Sequence, residues 1–272
     1  EDLNQSNTFN YSEQIHAAYV TYAREVGKFS FQAGLRAEQA FTESVLVTTG
    51  ETFENDYFNL FPTLHTVYEL PKDQEVMFSY SRRINRPSVR SLNPFTNFAD
   101  PLNLRSGNPF LNPEYINSLE MGYSKFWKGT SITGNVYYKG ISNIIQRFKF
   151  IDENGVSITT FENLATGRNY GLELISRVTF NKKWNANASL NAFKTEVDGS
   201  NLEGDLNNDA FGASLRVMNT NQLWKNSDLQ ITGFWRSARP IAQGRIDAFY
   251  AFNVAIRQRF LNRKASLTLR VR

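Results

Sequence analysis

The 272-residue sequence contains no cysteine and only two histidines, His16 and His65. The absence of cysteine excludes a disulfide framework and any thiolate metal site. Neither histidine lies in a recognisable nucleophile motif, so the sequence offers no serine–histidine–aspartate constellation for hydrolysis. We expect both histidines to be structural and on the polar face of their strands. The sequence predicts no catalytic residue, no metal site and no cofactor.

Long hydrophobic runs are also absent. No stretch approaches the roughly 18 consecutive apolar residues that a membrane-spanning helix needs, and the mean hydropathy is −0.44. Hydrophobic residues make up 41% of the chain, which is ordinary for a soluble protein. A strand of a membrane barrel exposes only every second residue to lipid, so these values remain compatible with a transmembrane β-barrel.

The chain is weakly basic, with a formal net charge of +4 and a pI of about 9.2. Nucleic-acid binding would require lysines and arginines clustered on one face or stripe. Here they are spread among predicted turns, loops and one face of the predicted strands. We therefore expect no nucleic-acid partner.

Most of the chain alternates apolar and polar residues with a period of two. Phe31 and Leu35 fall on one face of a strand, for example, and Arg36 falls on the other. The pattern predicts about twelve strands, most of about 10–16 residues, against roughly 5–6 for an average globular strand. Strands of this length cross a bilayer in about 9–11 residues and project beyond it. The first is predicted at about residues 13–26 and the last at about 264–272.

The connections between the predicted strands alternate in length. Short links are predicted at Gly27, 71–73, 128–129, 181–183, 225–228 and 261–264. Longer polar or proline-rich segments are predicted at 42–56, 84–115, 198–208 and 238–246, with a long hairpin tipped by residues 152–155. Short turns on one side and long loops on the other are typical of outer-membrane barrels. We therefore predict an all-β, antiparallel, up-and-down transmembrane β-barrel.

Large aromatic side chains recur beside the short links, at Trp127, Trp184, Trp224 and Phe260. A membrane–water interface selects such rings at one level, because they are amphipathic and prefer the headgroup boundary. These four residues therefore predict an aromatic girdle at the interface with outer-membrane lipid.

A soluble β-sandwich is the main competing interpretation, since its strands also alternate. Its turns would have no reason to carry aromatics at one level. Charges on the apolar parity, at Arg82, Lys125 and Lys194, lie near the ends of predicted strands. A charge there costs about 0–1 kcal/mol, against about 2–4 kcal/mol at the bilayer midplane. The pattern favours the barrel.

The segment 80–115 contains the runs Arg82-Arg83-Ile84-Asn85-Arg86-Pro87 and Gly107-Asn108-Pro109. With Phe61-Pro62-Thr63-Leu64 before it and Asn163 to Gly171 after it, it resembles the barrel region of TonB-dependent outer-membrane receptors of the Bacteroidetes type. The resemblance covers essentially the whole chain. It implies a barrel of about 22 strands, a plug domain of the same protein inside it, uptake driven by the TonB complex, and location in the outer membrane of a Gram-negative bacterium.

The sequence also departs from that family's pattern. Glu1 to Gln5 does not read as a signal peptide, no plug or TonB box is recognisable, and the last residue is Arg272, where such barrels usually end in an aromatic. We therefore expect residues 1–272 to form one partial outer-membrane β-barrel domain, an internal part of a longer receptor without its plug domain and C-terminal strands.

The face opposite the apolar one is expected to line a water-filled lumen. Its predicted charged residues are Arg36, Glu38, Glu69, Glu120, Glu173, Arg177, Arg216 and Arg257. For each residue taken singly, a cross-strand pair that holds the register explains the charge as well as contact with a plug or solute does.

Arginines alternate with phenylalanines in the segment 84–115 and just before it. Arg83, Arg86, Arg90 and Arg105 suit an anionic or ring-bearing ligand. They suit equally a lid over neighbouring loops or contact with anionic lipid headgroups. The proline content of the segment predicts an ordered loop.

The polar run from Asp198 to Asp209 offers oxygen ligands that Ca²⁺ accepts. Its spacing does not fit a calcium-binding EF-hand loop, and we expect a solvated loop.

Transport across the outer membrane is the function that the sequence favours, with a small or oligomeric nutrient as partner. A passive porin-like channel and a structural or adhesive surface barrel are the alternatives.

Overall fold

The computed structural model describes residues 6–153, 155–201, 208–241 and 244–272. The long strands are β1 (Phe9–Val26), β2 (Phe29–Leu46), β3 (Glu51–Leu70), β4 (Gln74–Asn85), β6 (Glu114–Trp127), β7 (Thr130–Ile151), β8 (Ser157–Asn181), β9 (Trp184–Asp198), β10 (Asn208–Asn221), β11 (Ser227–Arg236), β14 (Phe249–Phe260) and β15 (Ala265–Val271). Three short strands are β5 (Asn103–Arg105), β12 (Arg239–Ile241) and β13 (Gly244–Ile246).

The twelve long strands form one sheet, and each pairs antiparallel with the next long strand along the chain. This confirms the predicted up-and-down fold and its approximate strand number. In the part of the chain that the structure describes, β1 and β15 each have one paired neighbour, so the sheet is open between them. The three short strands were not predicted, and β5 pairs parallel with the outer end of β8.

The register separates the two faces of the sheet across many strands. Leu119 pairs with Tyr138, which pairs in turn with Tyr170. Directly opposed residues share a face, so these pairs extend one apolar row from strand to strand. Many of its side chains are exposed, including Val136 at 53% and Leu172 at 42%. Such a continuous exposed apolar face is what lipid contact requires and what a soluble surface avoids.

The two histidines lie on opposite faces of the sheet. His65 pairs with Gln32 on the polar row, as expected. The expectation that His16 shares that face is wrong. Its ring lies 6.1 Å from the ring of Phe41 in an edge-on contact, and it has the parity of Val20 on the apolar row. Both faces of β1 mix polar and apolar residues, so the alternation within this strand does not tell which face is the polar one.

All of the predicted short links are tight turns at one edge of the sheet. Gly27 and Gly129 have positive φ angles of 61° and 77°, which glycine adopts without strain. Lys72, Asp73 and Asn226 also have positive φ in these turns. This edge therefore matches the predicted short-turn side.

One predicted long loop is wrong. Residues 42–56 are mostly strand, because β2 and β3 continue to Leu46 and Glu51 and only residues 47–50 turn between them. The stretch is polar enough to resemble a loop, since its strands have left the apolar band and one of their faces is covered by another segment. Residues 202–207 of the predicted loop 198–208 lie outside the described residues. So do residues 242 and 243 of the predicted loop 238–246, which contains the β12–β13 hairpin.

The segment 86–113, which we call the inner loop, connects β4 to β6. It contains the one-turn helix α1 (Val89–Leu92) and β5, in keeping with the predicted ordered loop. Its two ends meet where Asn85 pairs with Glu114 and donates a 2.6 Å hydrogen bond from Nδ2 to Oε2. No helix among the described residues has the length and apolarity needed to cross a membrane.

Candidate functional site

The four predicted girdle residues all lie beside tight turns at the same edge of the sheet, and all are exposed. The ring of Trp184 stacks on Phe180 at 4.0 Å between centroids. Trp224 donates from Nε1 to Oε1 of Gln258 at 2.7 Å. The strand bounds thus place Trp127, Trp184, Trp224 and Phe260 along the tight-turn edge of the sheet.

A second aromatic level, which sequence reasoning missed, borders the apolar row toward the other edge. Tyr138 pairs with Tyr170, and Trp235 pairs with Tyr250. The partner of Tyr170 on β9 is Lys194, ten residues beyond Trp184 on the same strand. Ten residues span about 33 Å along a strand, or about 25 Å along the membrane normal at a tilt near 40°. The height of the band equals the apolar height of an outer-membrane barrel.

Charged side chains on the apolar parity begin at this second level. Nζ of Lys194 lies 2.9 Å from Oε1 of Glu196 and 3.0 Å from Oδ2 of Asp209. The hydroxyl of Tyr170 donates to Glu196 at 2.8 Å. This polar network marks where the lipid-facing band ends and the strands enter water.

The register places all eight predicted lumen residues on the polar row. Some have partners there: Lys139 lies 4.0 Å from Glu120, and the Arg216 guanidinium lies 5.6 Å from the ring centre of Phe234. Others face like charges, as Glu69 does opposite Glu75. The polar row is therefore only partly neutralised within the wall.

The charge of the polar row is uneven across the sheet. Both charge signs occur on β1 to β8: the carboxylates include Glu13, Glu25, Glu38, Glu69, Glu75, Glu114, Glu120 and Glu173, and the basic residues include Arg36, Arg83, Lys139, Arg147 and Arg177. Arginines predominate on β10 to β15, at Arg216, Arg236, Arg257, Arg259, Arg270 and Arg272. On this face the wall thus presents a half of mixed charge and a basic half.

The inner loop is held against this polar face by Arg86. Its Nη2 donates to Oε2 of Glu38 at 2.7 Å, and its Nε donates to the hydroxyl of Tyr57 at 2.8 Å and lies 3.3 Å from Oε1 of Glu13. Burial alone would lower the pKa of Arg86, but the hydrogen bonds to Glu38 and Tyr57 outweigh it and raise the pKa. Arg86 was predicted in a loop that either contacts a ligand or packs as a lid; in the structure it anchors the loop to the wall.

Apolar contacts continue the same attachment. Ala40 and Leu46 on the polar-row side of β2 are 0% and 5% exposed, and Leu111 of the inner loop is 2% exposed. The rings of Phe53 on β3 and Phe110 in the loop meet edge-on at 5.5 Å. The loop therefore packs on the face that carries Glu38, opposite the lipid-facing row.

Gly107 closes the inner loop on itself. Its N–H donates to the carbonyl of Asn93 at 2.7 Å, and the next N–H, of Asn108, donates to the carbonyl of Ser91 at 2.7 Å. A Cβ at Gly107 would lie 2.6 Å from both carbonyl oxygens. Only glycine permits this approach, which gives the Gly107-Asn108 run a physical role.

Asparagines join the inner loop to β8. The amide of Asn163 donates to the carbonyl of Asn112 at 3.0 Å and accepts from the Asn112 N–H at 2.8 Å. Asn108 donates to the carbonyl of Phe161 at 3.0 Å. The loop is thus fixed at both sides, by Arg86 to the first strands and by these amides to β8.

A cavity of about 420 Å³ lies between the inner loop and the outer end of the β7–β8 hairpin. Of the four predicted loop arginines, Arg90 and Arg105 line it. Arg83 lies on the polar row of β4, outside the cavity. The third arginine of the cavity, Arg147 on β7, was not predicted, because its distance of 42 positions from Arg105 hides their proximity.

The two-faced wall, its two aromatic levels and its attached inner loop define an integral outer-membrane β-barrel protein. The chain belongs to the outer membrane protein beta-barrel family, whose sequence model matches residues 1–272. Its location is accordingly the outer membrane of a Gram-negative bacterium. Among curated proteins, none matches the chain.

Several solved structures share the fold at low sequence identity. The FrpB iron transporter from Neisseria meningitidis (F3-3 variant) is 13% identical with a TM-score of 0.66, over 98% of this chain and 41% of that one. The copper transporter OprC is 13% identical with a TM-score of 0.69, over 96% and 41%. The siderophore receptor PirA from Pseudomonas aeruginosa is 12% identical with a TM-score of 0.64, over 94% and 52%. The chain thus spans about half or less of these proteins.

Proposed function

We propose that this chain is part of the wall of an outer-membrane transporter that takes up a scarce nutrient. The observation that carries the proposal is the inner loop, which is fixed on the polar face of a lipid-compatible wall and encloses a cationic cavity beside it. A barrel that served only as a membrane anchor would need neither a fixed inner loop nor a cationic cavity. The iron, copper and siderophore proteins that share the fold support the same function.

The rest of the transporter is inferred from two features of the wall. Unpaired strand edges are costly in lipid, where no water satisfies the backbone, and β1 and β15 each have one such edge among the described residues. We propose that further strands cover them in a barrel of about 22 strands. The basic half of the polar row suits an acidic surface on a plug domain, with energy from the TonB complex. We expect no catalytic activity.

A passive channel is the second candidate, and the partly neutralised polar row favours it, since such a wall conducts small solutes without a plug. The energy dependence of uptake distinguishes the transporter from the passive channel. The natural full-length protein, expressed in a strain that lacks its own uptake systems, should support growth on a limiting iron or copper chelate only while the inner membrane is energised and TonB is present. Uptake that persists with a protonophore, together with steady conductance of the protein in planar bilayers, would replace the transporter by the channel.

A further inference from the structure

Three arginines from three separate elements meet at the cavity of the inner loop. Arg90 lies in the last turn of α1, Arg105 lies on β5, and Arg147 lies on β7. All three side chains are exposed and line the same space. Arginines that converge from distant positions concentrate positive charge at one place, which costs free energy unless an anion compensates it.

Local structure fixes each arginine in position. Ser88 caps α1 by accepting from the N–H of Ser91 at 3.2 Å. The pairing of β5 with β8 holds Arg105, whose carbonyl also accepts from the N–H of Asn97 at 2.7 Å. The guanidinium of Arg147 lies 5.8 Å from the ring centre of Phe161. The backbone positions that carry the three arginines are therefore fixed before a ligand arrives.

No carboxylate lines this cavity among the described residues. Its lining is Arg90, Asn93, Phe95, Asn97, Arg105, Ser106, Gly107, Arg147, Thr159 and Phe161. The nearest acids in the loop and on β8 have other contacts. Asp100 accepts from Nδ2 of Asn103 at 2.9 Å and from the N–H of Leu102 at 3.1 Å, and these hydrogen bonds, with a smaller contribution from the positive charge of Arg105, hold its pKa below the ordinary value. Glu162 accepts from Asn108 at 3.3 Å.

Other arginines of the protein do pair with carboxylates. Arg86 and Arg259 lie 2.7 Å and 2.6 Å from carboxylate oxygens of Glu38 and Asp228. In the described part of the chain, the three cavity arginines make no ion pair of this kind. Arginine forks match carboxylate and phosphate oxygens in pairs of hydrogen bonds, so three unpaired forks favour a ligand with several anionic oxygens.

Two phenylalanines complete the recognition surface. Phe95 and Phe161 contribute rings beside the arginines, and a planar group can pack on such rings. The volume of about 420 Å³ is within the usual range of small-molecule sites, about 300–1,000 Å³. We propose that this cavity binds a small ligand in which two or more anionic oxygens, of carboxylate or phosphate, flank a planar ring. The proposal rests on the proposed transport function, because it makes the cavity the recognition site for the nutrient.

Binding of defined probes to the natural full-length protein in detergent micelles tests the cavity directly. Calorimetry should detect benzene-1,3,5-tricarboxylate and show at least tenfold weaker binding of neutral benzene-1,3,5-tricarboxamide. Phenyl phosphate in a parallel titration distinguishes phosphate from carboxylate as the preferred group. Affinity for the charged probes should fall as salt is raised. Failure of both anions to bind, or equal binding of the neutral amide, would overturn the proposal.

Matched variants locate the site. Arg90→Gln and Arg147→Gln should each weaken binding of the tricarboxylate roughly tenfold, the loss of a charge-assisted hydrogen bond. Arg147→Lys should restore part of it, since lysine keeps the charge and loses the fork. Arg83→Gln, outside the cavity, should bind as wild type does. A heat-modifiable gel shift confirms that each variant is folded.

Equal affinity in the Arg90, Arg147 and Arg83 variants would overturn the cavity as the anion site, whatever the outcome for transport. Energised uptake by wild-type protein in cells is a separate measurement. If the wild-type protein shows no energised uptake, the proposed transport function is refuted, whereas anion binding measured at the cavity still stands.

Discussion

Nη2 of Arg86 lies 2.7 Å from Oε2 of Glu38, although 48 positions of sequence separate them. The two side chains are 22% and 9% exposed, so the pair is shielded from bulk water on the polar face of the sheet. Arg86 was predicted in a possible recognition loop and Glu38 in the lumen wall, and the two side chains form an ion pair with each other. Their contact sets where the inner loop lies.

Removal of this pair should release the inner loop from the wall. The chain has no cysteine, so Ser91→Cys provides a single thiol at a position that is 4% exposed in the closed loop. In that background, Arg86→Gln should weaken loop closure by about 1.5–3 kcal/mol, the value of a hydrogen bond to a charged group. Thiol labelling should then accelerate about tenfold or more.

Arg83→Gln is the matched control in the same background, since it removes an arginine three positions away that does not anchor the loop. Its labelling rate should stay at that of the parent. Equal labelling rates in the Arg86 and Arg83 variants would mean that the ion pair does not hold the loop.

The close backbone approach at Gly107 predicts a steric phenotype. Gly107→Ala places a Cβ 2.6 Å from the carbonyl oxygens of Ser91 and Asn93, and the forced shift should cost about 1–3 kcal/mol. Limited proteolysis should cut the inner loop faster in this variant. Gly233→Ala, where a Cβ meets no atom within 4 Å, should be cut at the wild-type rate. A resistant Gly107→Ala loop would argue against the closure at this glycine.

The two faces of β7 should respond oppositely to the same new charge. Val136 pairs with Leu172 on the apolar row, and its neighbour Asn135 pairs with Glu173 on the polar row at nearly the same depth. Val136→Arg should destabilise the folded protein by about 2–4 kcal/mol, whereas Asn135→Arg gains an opposite charge across the strand and should be nearly neutral. Urea unfolding in lipid vesicles measures both. Similar losses at the two positions would be incompatible with a lipid-facing row.

The aromatic levels predict the depth of the tryptophans in a bilayer. Trp127, Trp184 and Trp224 lie at the turn edge, and Trp235 lies at the opposite level of the apolar row. Lipids brominated near the carbonyl should therefore quench tryptophan fluorescence more than lipids brominated at the chain ends. Protein in which only Trp184 or only Trp235 remains tests each level separately. Stronger quenching from the chain ends would displace these rings from the interface.

Period-two alternation was sufficient to predict the strands, the faces and the six tight turns, because lipid on one side and water on the other constrain every second residue. It failed where that constraint ends. Above the apolar band both faces of a strand are polar, so residues 42–56 resembled a loop although they are paired strand. His16 was misplaced for a related reason, since both faces of β1 mix polar and apolar residues and the strand alone does not identify its lipid-facing side.

The candidate site was predictable only in part. Arg90 and Arg105 stood out as basic residues in a proline-rich loop, and both line the cavity. No sequence feature near Arg147 indicated a ligand site. Arg147 lies at the cavity because β5, which carries Arg105, pairs in parallel with β8, the neighbour of β7. The partnership of Arg86 with Glu38 was hidden in the same way. Contacts between a loop and a distant strand depend on the folded path of the chain, and alternation along single strands does not encode that path.

The hydrogen bond between Asn85 and Glu114 joins the two strands at the base of the inner loop. From this residue pair downward, β4 and β6 pair directly with each other over twelve residue pairs, so their pairing does not depend on which segment is inserted between them. Replacement of residues 86–113 as a unit should therefore change what the protein recognises, while the membrane-embedded strands keep their geometry.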